Sequence, residues 1–195
     1  MPSDYDDELW LLVPEDPGPP PGHLAAFVRG LGRRDGDVLD LGCGDGRLTL
    51  ELRGRRVVGA DVSRVALDRA RSRTAGHDVE LVDLTPGAVL PFADGEFELV
   101  LLAETIEHVV DPQTLLAEAR RVLQAGGEIA VTTPAHSRRT GVSLLFRGFE
   151  RYFDPLSPHV RFFAPDSLRA LLEEAGFEVK SLTRRAGTLL ARAER

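Results

Sequence analysis

Three features of the 195-residue sequence predict an α/β protein built on a doubly wound, mainly parallel sheet. The first is an apolar run that breaks into glycines, Val38-Leu39-Asp40-Leu41-Gly42-Cys43-Gly44-Asp45-Gly46. It reads as a buried strand, a tight turn and a helix beginning near Arg47. The second is Val57-Val58-Gly59-Ala60-Asp61, another apolar strand that ends in an acid. The third is the alternation that follows, in which apolar runs of strand length exchange with stripes at helical spacing.

Taken in order, residues 1–22 form an N-terminal arm and 23–195 one domain, long enough to bury a full core. The arm is acidic at Asp4, Asp6, Asp7 and Glu8, apolar over 9–13, and stiff over Pro17-Gly18-Pro19-Pro20-Pro21, a spacer composition. Its Trp10, with Tyr5 nearby, either caps a ligand site or pins the arm to the core. Leu24, Phe27, Val28 and Leu31 share one helical face that Gly32 closes. After the first two strands, Ser63 caps a helix running to about Ala75, and 79–84 forms the third strand. The unbroken apolar run from Phe97 to Ala103 predicts a central strand buried on both faces. Asp111 and Pro112 open a helix striped by Leu115, Leu116, Ala119, Val122 and Leu123, with Gly126 as its stop and 127–133 as the fifth strand. Pro165 starts a helix with Leu168, Leu171, Leu172 and Ala175 on one stripe, ended by Gly176. Residues 177–183 and 188–193 then pair across Arg185-Ala186-Gly187.

The glycine turn is where a ligand would lie on bare backbone. Free amides there, and the helix N-terminus expected after them, favour an anionic group. The spacing is G-x-G-x-G, and the third glycine of the dinucleotide fingerprint would fall on Arg47, which argues against a pyrophosphate. Asp61 lies about 20 residues further on, the interval at which an acid meets a ribose diol.

With these residues the chain resembles the class I S-adenosylmethionine-dependent methyltransferases. Val38 to Gly46 resembles their first motif and Val58 to Asp61 their second. Leu90-Pro91-Phe92-Ala93-Asp94-Gly95-Glu96-Phe97-Glu98-Leu99-Val100 and Arg121-Val122-Leu123-Gln124-Ala125-Gly126-Gly127 are similar to later blocks. The resemblance implies a Rossmann-like seven-stranded sheet with an antiparallel C-terminal hairpin and helices on both faces. It implies S-adenosyl-L-methionine as methyl donor and S-adenosyl-L-homocysteine as product. By the same resemblance, Asp40, Gly42, Cys43 and Gly44 surround the methionine part, Asp61 the ribose, Asp83 and Leu84 the adenine, with Ala103 near the amino-acid end and Val62 also among the donor-binding residues.

The implied reaction moves a methyl group to an O, N or C atom of a small molecule by in-line displacement. His108, in Glu104-Thr105-Ile106-Glu107-His108, is the best general base at the fourth strand's tip, an imidazole being poised near neutrality. The alternative is that it packs the junction. Glu104, Glu107 and His108 with His159 resemble the divalent-metal set of small-RNA 2′-O-methyltransferases. His159-Val160-Arg161-Phe162 matches the later part of that pattern only loosely, and no metal is assigned. The stretch 135–164 concentrates Leu144, Leu145, Phe146, Phe149, Tyr152, Phe153, Phe162 and Phe163. It is read as an inserted substrate lid walling the acceptor site, or as a dimer contact.

A short-chain dehydrogenase is set aside, since neither Tyr5 nor Tyr152 has a lysine four residues on. A non-catalytic S-adenosylmethionine-binding regulator is the other alternative. The net charge of -7 argues against a nucleic-acid partner. Cys43 is the only cysteine, so no intrachain disulfide is possible. The N-terminus lacks the basic and apolar regions of a secretory signal, and no run is long enough for a membrane span. A cytoplasmic monomer or homodimer is predicted.

Overall fold

A computed structural model describes residues 3–136 and 159–195. Seven strands form one sheet: β1 (Asp37–Leu41), β2 (Val57–Asp61), β3 (Val79–Asp83), β4 (Phe97–Ala103), β5 (Leu123–Pro134), β6 (Glu178–Arg185) and β7 (Thr188–Glu194). Their order is β3-β2-β1-β4-β5-β7-β6. Strands β1 to β5 run parallel, and β7 enters antiparallel between β5 and β6. The doubly wound sheet and its closing hairpin match the expectation from the sequence.

Side-chain alternation along β4 explains its unbroken apolar run. Val100 and Leu102 enter one core with β1's Leu39 and Leu41, together with Leu116, Ala119 and Val122 of α4 (Pro112–Val122) and Leu168 and Leu172 of α5 (Pro165–Glu174). Leu99 and Leu101 enter the opposite core with Val38, and with Val28 of α2 (Gly22–Gly30) and the adjoining Leu31. A strand covered on both faces has no solvated side on which to place polar residues. On α3 (Arg64–Arg73), Ala66, Leu67 and Ala70 are buried. Ser63 Oγ caps that helix by accepting from Ala66 N at 3.1 Å, and Asp111 Oδ1 caps α4 by accepting from Thr114 N at 3.0 Å. No helix of the described residues is long and apolar enough to cross a membrane.

Three readings change. The helix expected near Arg47 is a single 3₁₀ turn, Thr49–Glu51, so no long helix presents its N-terminus to the glycine turn. The turn ends where Leu52 goes extended (ψ 151°), and the chain then passes Gly54, where a Cβ would stand 3.0 Å from the Val38 methyls, into β2. β5 begins at Leu123 rather than 127, because Leu123 leaves the helix in extended conformation (ψ 140°) and pairs with Phe97. The arm contains a helix, α1 (Ser3–Leu12), that packs against α3. Most of the stretch read as a lid or dimer contact, 137–158, lies outside the described residues.

Candidate functional site

The sheet order reverses between β1 and β4, and ligand crevices of doubly wound sheets open there, beyond the carboxyl ends of the strands. Gly42, Gly44 and Gly46 follow β1 with φ of 80°, 54° and 79°, a region that L side chains rarely enter. The turn is stitched to β2 by Gly42 N and Cys43 N, which donate to Ala60 O at 2.7 and 3.1 Å. A side chain on Gly42 would collide with Thr105, which follows β4, so the turn and the β4 tip touch across the switch point.

Two buried aspartates bracket this turn. Asp40 Oδ2 accepts from Thr49 Oγ1 at 2.6 Å, while Oδ1 has no hydrogen-bond partner among the described residues. Burial pushes the Asp40 carboxyl up to about 7, against the Thr49 hydrogen bond. Asp61 Oδ2 accepts from Gly44 N at 2.8 Å and Oδ1 from Ser63 N at 2.9 Å, and burial raises its pKa as well. Cys43 is buried, with Sγ 3.2 Å from where a Gly59 Cβ would stand. Burial raises its thiol well above the ordinary range, which fits packing rather than reactivity.

Parallel register places the other expected donor residues along the same edge. Asp61 pairs with Asp83, and Ala103 with Thr132. Asp83 is exposed and bonded to Arg64 Nε at 3.2 Å, while Leu84 is buried with its N–H on Asp61 O at 2.8 Å. Val62 packs partly buried against the larger core, and Ala103 is partly buried beside the smaller one.

Beyond Ala103 the backbone is strained, with Glu104 at φ 53°. Glu104 Oε1 accepts from Thr132 Oγ1 at 2.8 Å. Glu107 is buried; its Oε2 accepts from Thr133 Oγ1 at 3.0 Å, and its Oε1 has no partner among the described residues. Burial and the nearby Glu104 push the Glu107 carboxyl up to about 8. His108 is exposed, its ring centroid 4.8 Å from that of His159 in an edge-on pair. Glu107, His108 and His159 each offer a ligand atom within 4.8 Å of the others, and Glu107 O accepts from Val160 N and Arg161 N. Of the four residues weighed as a metal set and not assigned one, these three converge, and Glu104 is engaged with Thr132.

Comparison with known proteins identifies the frame. A family model described as a methyltransferase domain matches residues 39–131. A demethylmenaquinone methyltransferase of Thermus thermophilus is 30% identical over 167 residues, covering 73% of this chain and 74% of its own. The chain belongs to the class I S-adenosylmethionine-dependent methyltransferases. A ubiquinone biosynthesis O-methyltransferase of Ruegeria sp. is 32% identical over 146 residues, and the match covers 71% of this chain but only 59% of that relative. Among solved structures, a putative methyltransferase from Bacillus halodurans shares the fold with TM-score 0.73 and 19% identity, over 89% of this chain and 99% of the other.

Membership of this methyltransferase family implies S-adenosylmethionine, and the residues present fit it. The turn offers bare backbone at Gly42, Gly44 and Gly46, and Asp40 keeps a buried oxygen with no hydrogen-bond partner among the described residues. Asp61 uses each oxygen once, leaving acceptor capacity for hydroxyls. Sequence reading missed Thr49, Thr105, Thr132, Thr133 and Asp7. Thr105 lies within the quoted Glu104–His108 stretch, but nothing in the sequence announces that it fills the space beside Gly42. Asp7 accepts from Ser63 Oγ at 2.6 Å and Val65 N at 3.1 Å, a tie spanning more than fifty residues.

Proposed function

We propose that this chain transfers a methyl group from S-adenosylmethionine to an O, N or C atom of a small molecule. One observation carries this reading: buried Asp40, whose Oδ1 has no hydrogen-bond partner among the described residues, leads into a turn with glycine at 42, 44 and 46 that Asp61 braces through Gly44 N. When bound, the donor supplies an electrophilic methyl carbon on a sulfonium. Asp40 accepts hydrogen bonds from the ammonium end, and Asp61 from the ribose hydroxyls. Leu84 and Asp83 border the adenine, Val62 the ribose, and Gly42, Cys43, Gly44 and Ala103 the methionine part. Orientation of this kind supplies much of the rate, because displacement needs acceptor, carbon and sulfur in line.

On the acceptor side, His108 stands exposed at the tip of β4, where it takes the proton that an O or N acceptor loses. Relatives named for ubiquinone biosynthesis and for demethylmenaquinone put quinone-pathway compounds first among acceptors to screen. The net charge of -7 favours a small molecule over a nucleic acid. The deciding experiment is calorimetry with S-adenosylmethionine, S-adenosylhomocysteine and NADH, followed by an acceptor screen. Binding of the first two and not NADH supports the reading. Binding of NADH alone, or of none, ends it, and donor binding without turnover of any acceptor would favour a regulatory role.

A second reading, metal-assisted transfer, is favoured by the convergence of Glu107, His108 and His159 and by the unpartnered Glu107 Oε1. A mixed carboxylate and imidazole set suits a divalent ion that would hold an acceptor oxygen. Magnesium or manganese titrated into the protein, with Glu107→Gln as control, distinguishes it. No heat of binding in the parent would remove it.

A further inference from the structure

The room left by the absent side chain of Gly44 is filled from the chain's own N-terminus. A Cβ on Gly44 would stand 2.7 Å from Cζ2 and 2.9 Å from Cη2 of Trp10. The indole therefore sits on the glycine turn itself, with no atomic layer between them. Asp7, one helical turn earlier on α1, holds Ser63 Oγ and Val65 N just beyond Asp61. Asp61 is 7% exposed although it stands at a strand tip, and Asp6 of α1 is close enough for the two charges to repel. Helix α1 thus covers both the turn and the acid assigned to the donor.

Its hold is slight. None of residues 5–12 is fully buried, and Leu11 and Leu12 are 66% and 83% exposed. Further attachments are the Arg69 guanidinium, 5.8 Å from the Trp10 ring centre, and its hydrogen bonds to Val13 O and Pro14 O at 3.1 and 3.3 Å. A ten-residue helix is marginal alone in water, so α1 persists only while docked. Elements with so little buried surface open at low free-energy cost. The proline-rich spacer behind α1 leaves α2 in place when it does.

We propose that α1 is a built-in competitor for the donor site: Trp10 and the methyl donor use the same face of Gly44, so donor binding expels α1. This rests on the reading that the glycine turn holds the donor. Trp10 is the only tryptophan, so its emission reports α1 without a label. The full-length chain is titrated with S-adenosylhomocysteine while Trp10 emission and acrylamide quenching are followed, with calorimetry on the same sample. The expected result is a red shift and increased quenching whose midpoint equals the calorimetric Kd. Trp10→Ala is expected to bind more tightly, on the order of tenfold if α1 is docked about nine-tenths of the time. Asp7→Asn, which leaves the indole in place, is expected to move both readouts in the same direction by less. Calorimetric binding with unchanged or blue-shifted emission would overturn the proposal, because α1 would then be a fixed wall or a cover that closes over the ligand. No calorimetric binding by parent or variants would overturn the donor reading itself, and the competitor with it.

Discussion

At the scale of single residues, Asp40 and Asp61 are the same chemical group in two settings. Asp61 receives two backbone N–H groups and holds the turn's geometry, whereas Asp40 receives one threonine hydroxyl and keeps an oxygen unmatched. Asp61→Asn keeps the shape but replaces one acceptor oxygen by a donor that faces a backbone N–H. It is expected to lose roughly 1.5–3 kcal/mol of S-adenosylhomocysteine affinity by calorimetry, and a change below about 0.5 kcal/mol would remove the ribose assignment. For Asp40 the consequence is a pH dependence. Its folded value near 7 exceeds the ordinary 3.8, so between them the folded chain keeps a proton that the unfolded chain releases. Its contribution to stability is complete below the ordinary value and is lost as pH rises through about 7. Asp40→Asn should therefore melt higher than the parent at pH ~8, by roughly 4–8 °C for ~2 kcal/mol, and match it near pH ~4. Equal melting shifts at both pH values would mean that Asp40 is ionised in the fold. Both acids were legible in the sequence, since a strand-end acid has a fixed distance from its glycine turn. Thr49, Thr105 and Asp7 were not, because what each does is fixed by a partner brought close only by folding.

At the scale of elements, strands and capped helices were readable because their signals are local. The run from Phe97 to Ala103 declares a strand buried on both faces, and Ser63 and Asp111-Pro112 declare helix starts that the structure places at the same residues. Two of the three changed readings lie where tertiary space overrules pattern. Residues after Gly46 have helical composition, but the chain goes extended at Leu52 and passes closely by Val38 at Gly54 on its way into β2, and only Thr49–Glu51 winds. The 9–13 run carries no partner signal, and α1 is helical because Asp7 and Trp10 dock on distant residues. The two caps give a paired prediction. Ser63→Ala and Asp111→Ala should each cost about 1 kcal/mol, or roughly 2–4 °C of melting temperature. Ser63→Ala also removes the hydroxyl held by Asp7, so it alone should red-shift Trp10 emission. Equal emission in the two variants would show that the Asp7–Ser63 hydrogen bond does not help hold α1.

At the scale of the whole molecule, the parallel sheet gathers at one edge the carboxylates that the sequence distributes over nearly seventy residues. Asp61 and Asp83 are register partners, Asp40 lies in β1 beside Asp61's strand, and Glu104 and Glu107 follow β4. Asp83 is bonded to Arg64, while Asp40, Asp61, Glu104 and Glu107 all have raised pKa values, largely through burial. A buried carboxyl with a raised pKa ionises more readily beside a cation, so in a chain of net charge -7 such an edge favours a ligand of higher positive charge. S-adenosylmethionine carries one more positive charge, on its sulfonium, than its thioether product. The edge therefore favours donor over product through a field that salt attenuates, whereas hydrogen bonds to ribose and adenine are common to both. Raising salt from about 0.05 M to about 0.5 M shortens the screening length about threefold. Donor affinity is expected to fall by roughly three- to tenfold across that range, with product affinity changing by less than about twofold. Calorimetric titrations of the two ligands at matched salt measure the difference directly. Parallel slopes would show that the edge's carboxylates are neutral or screened when the ligand binds, leaving product release to rest on lost contacts rather than lost charge.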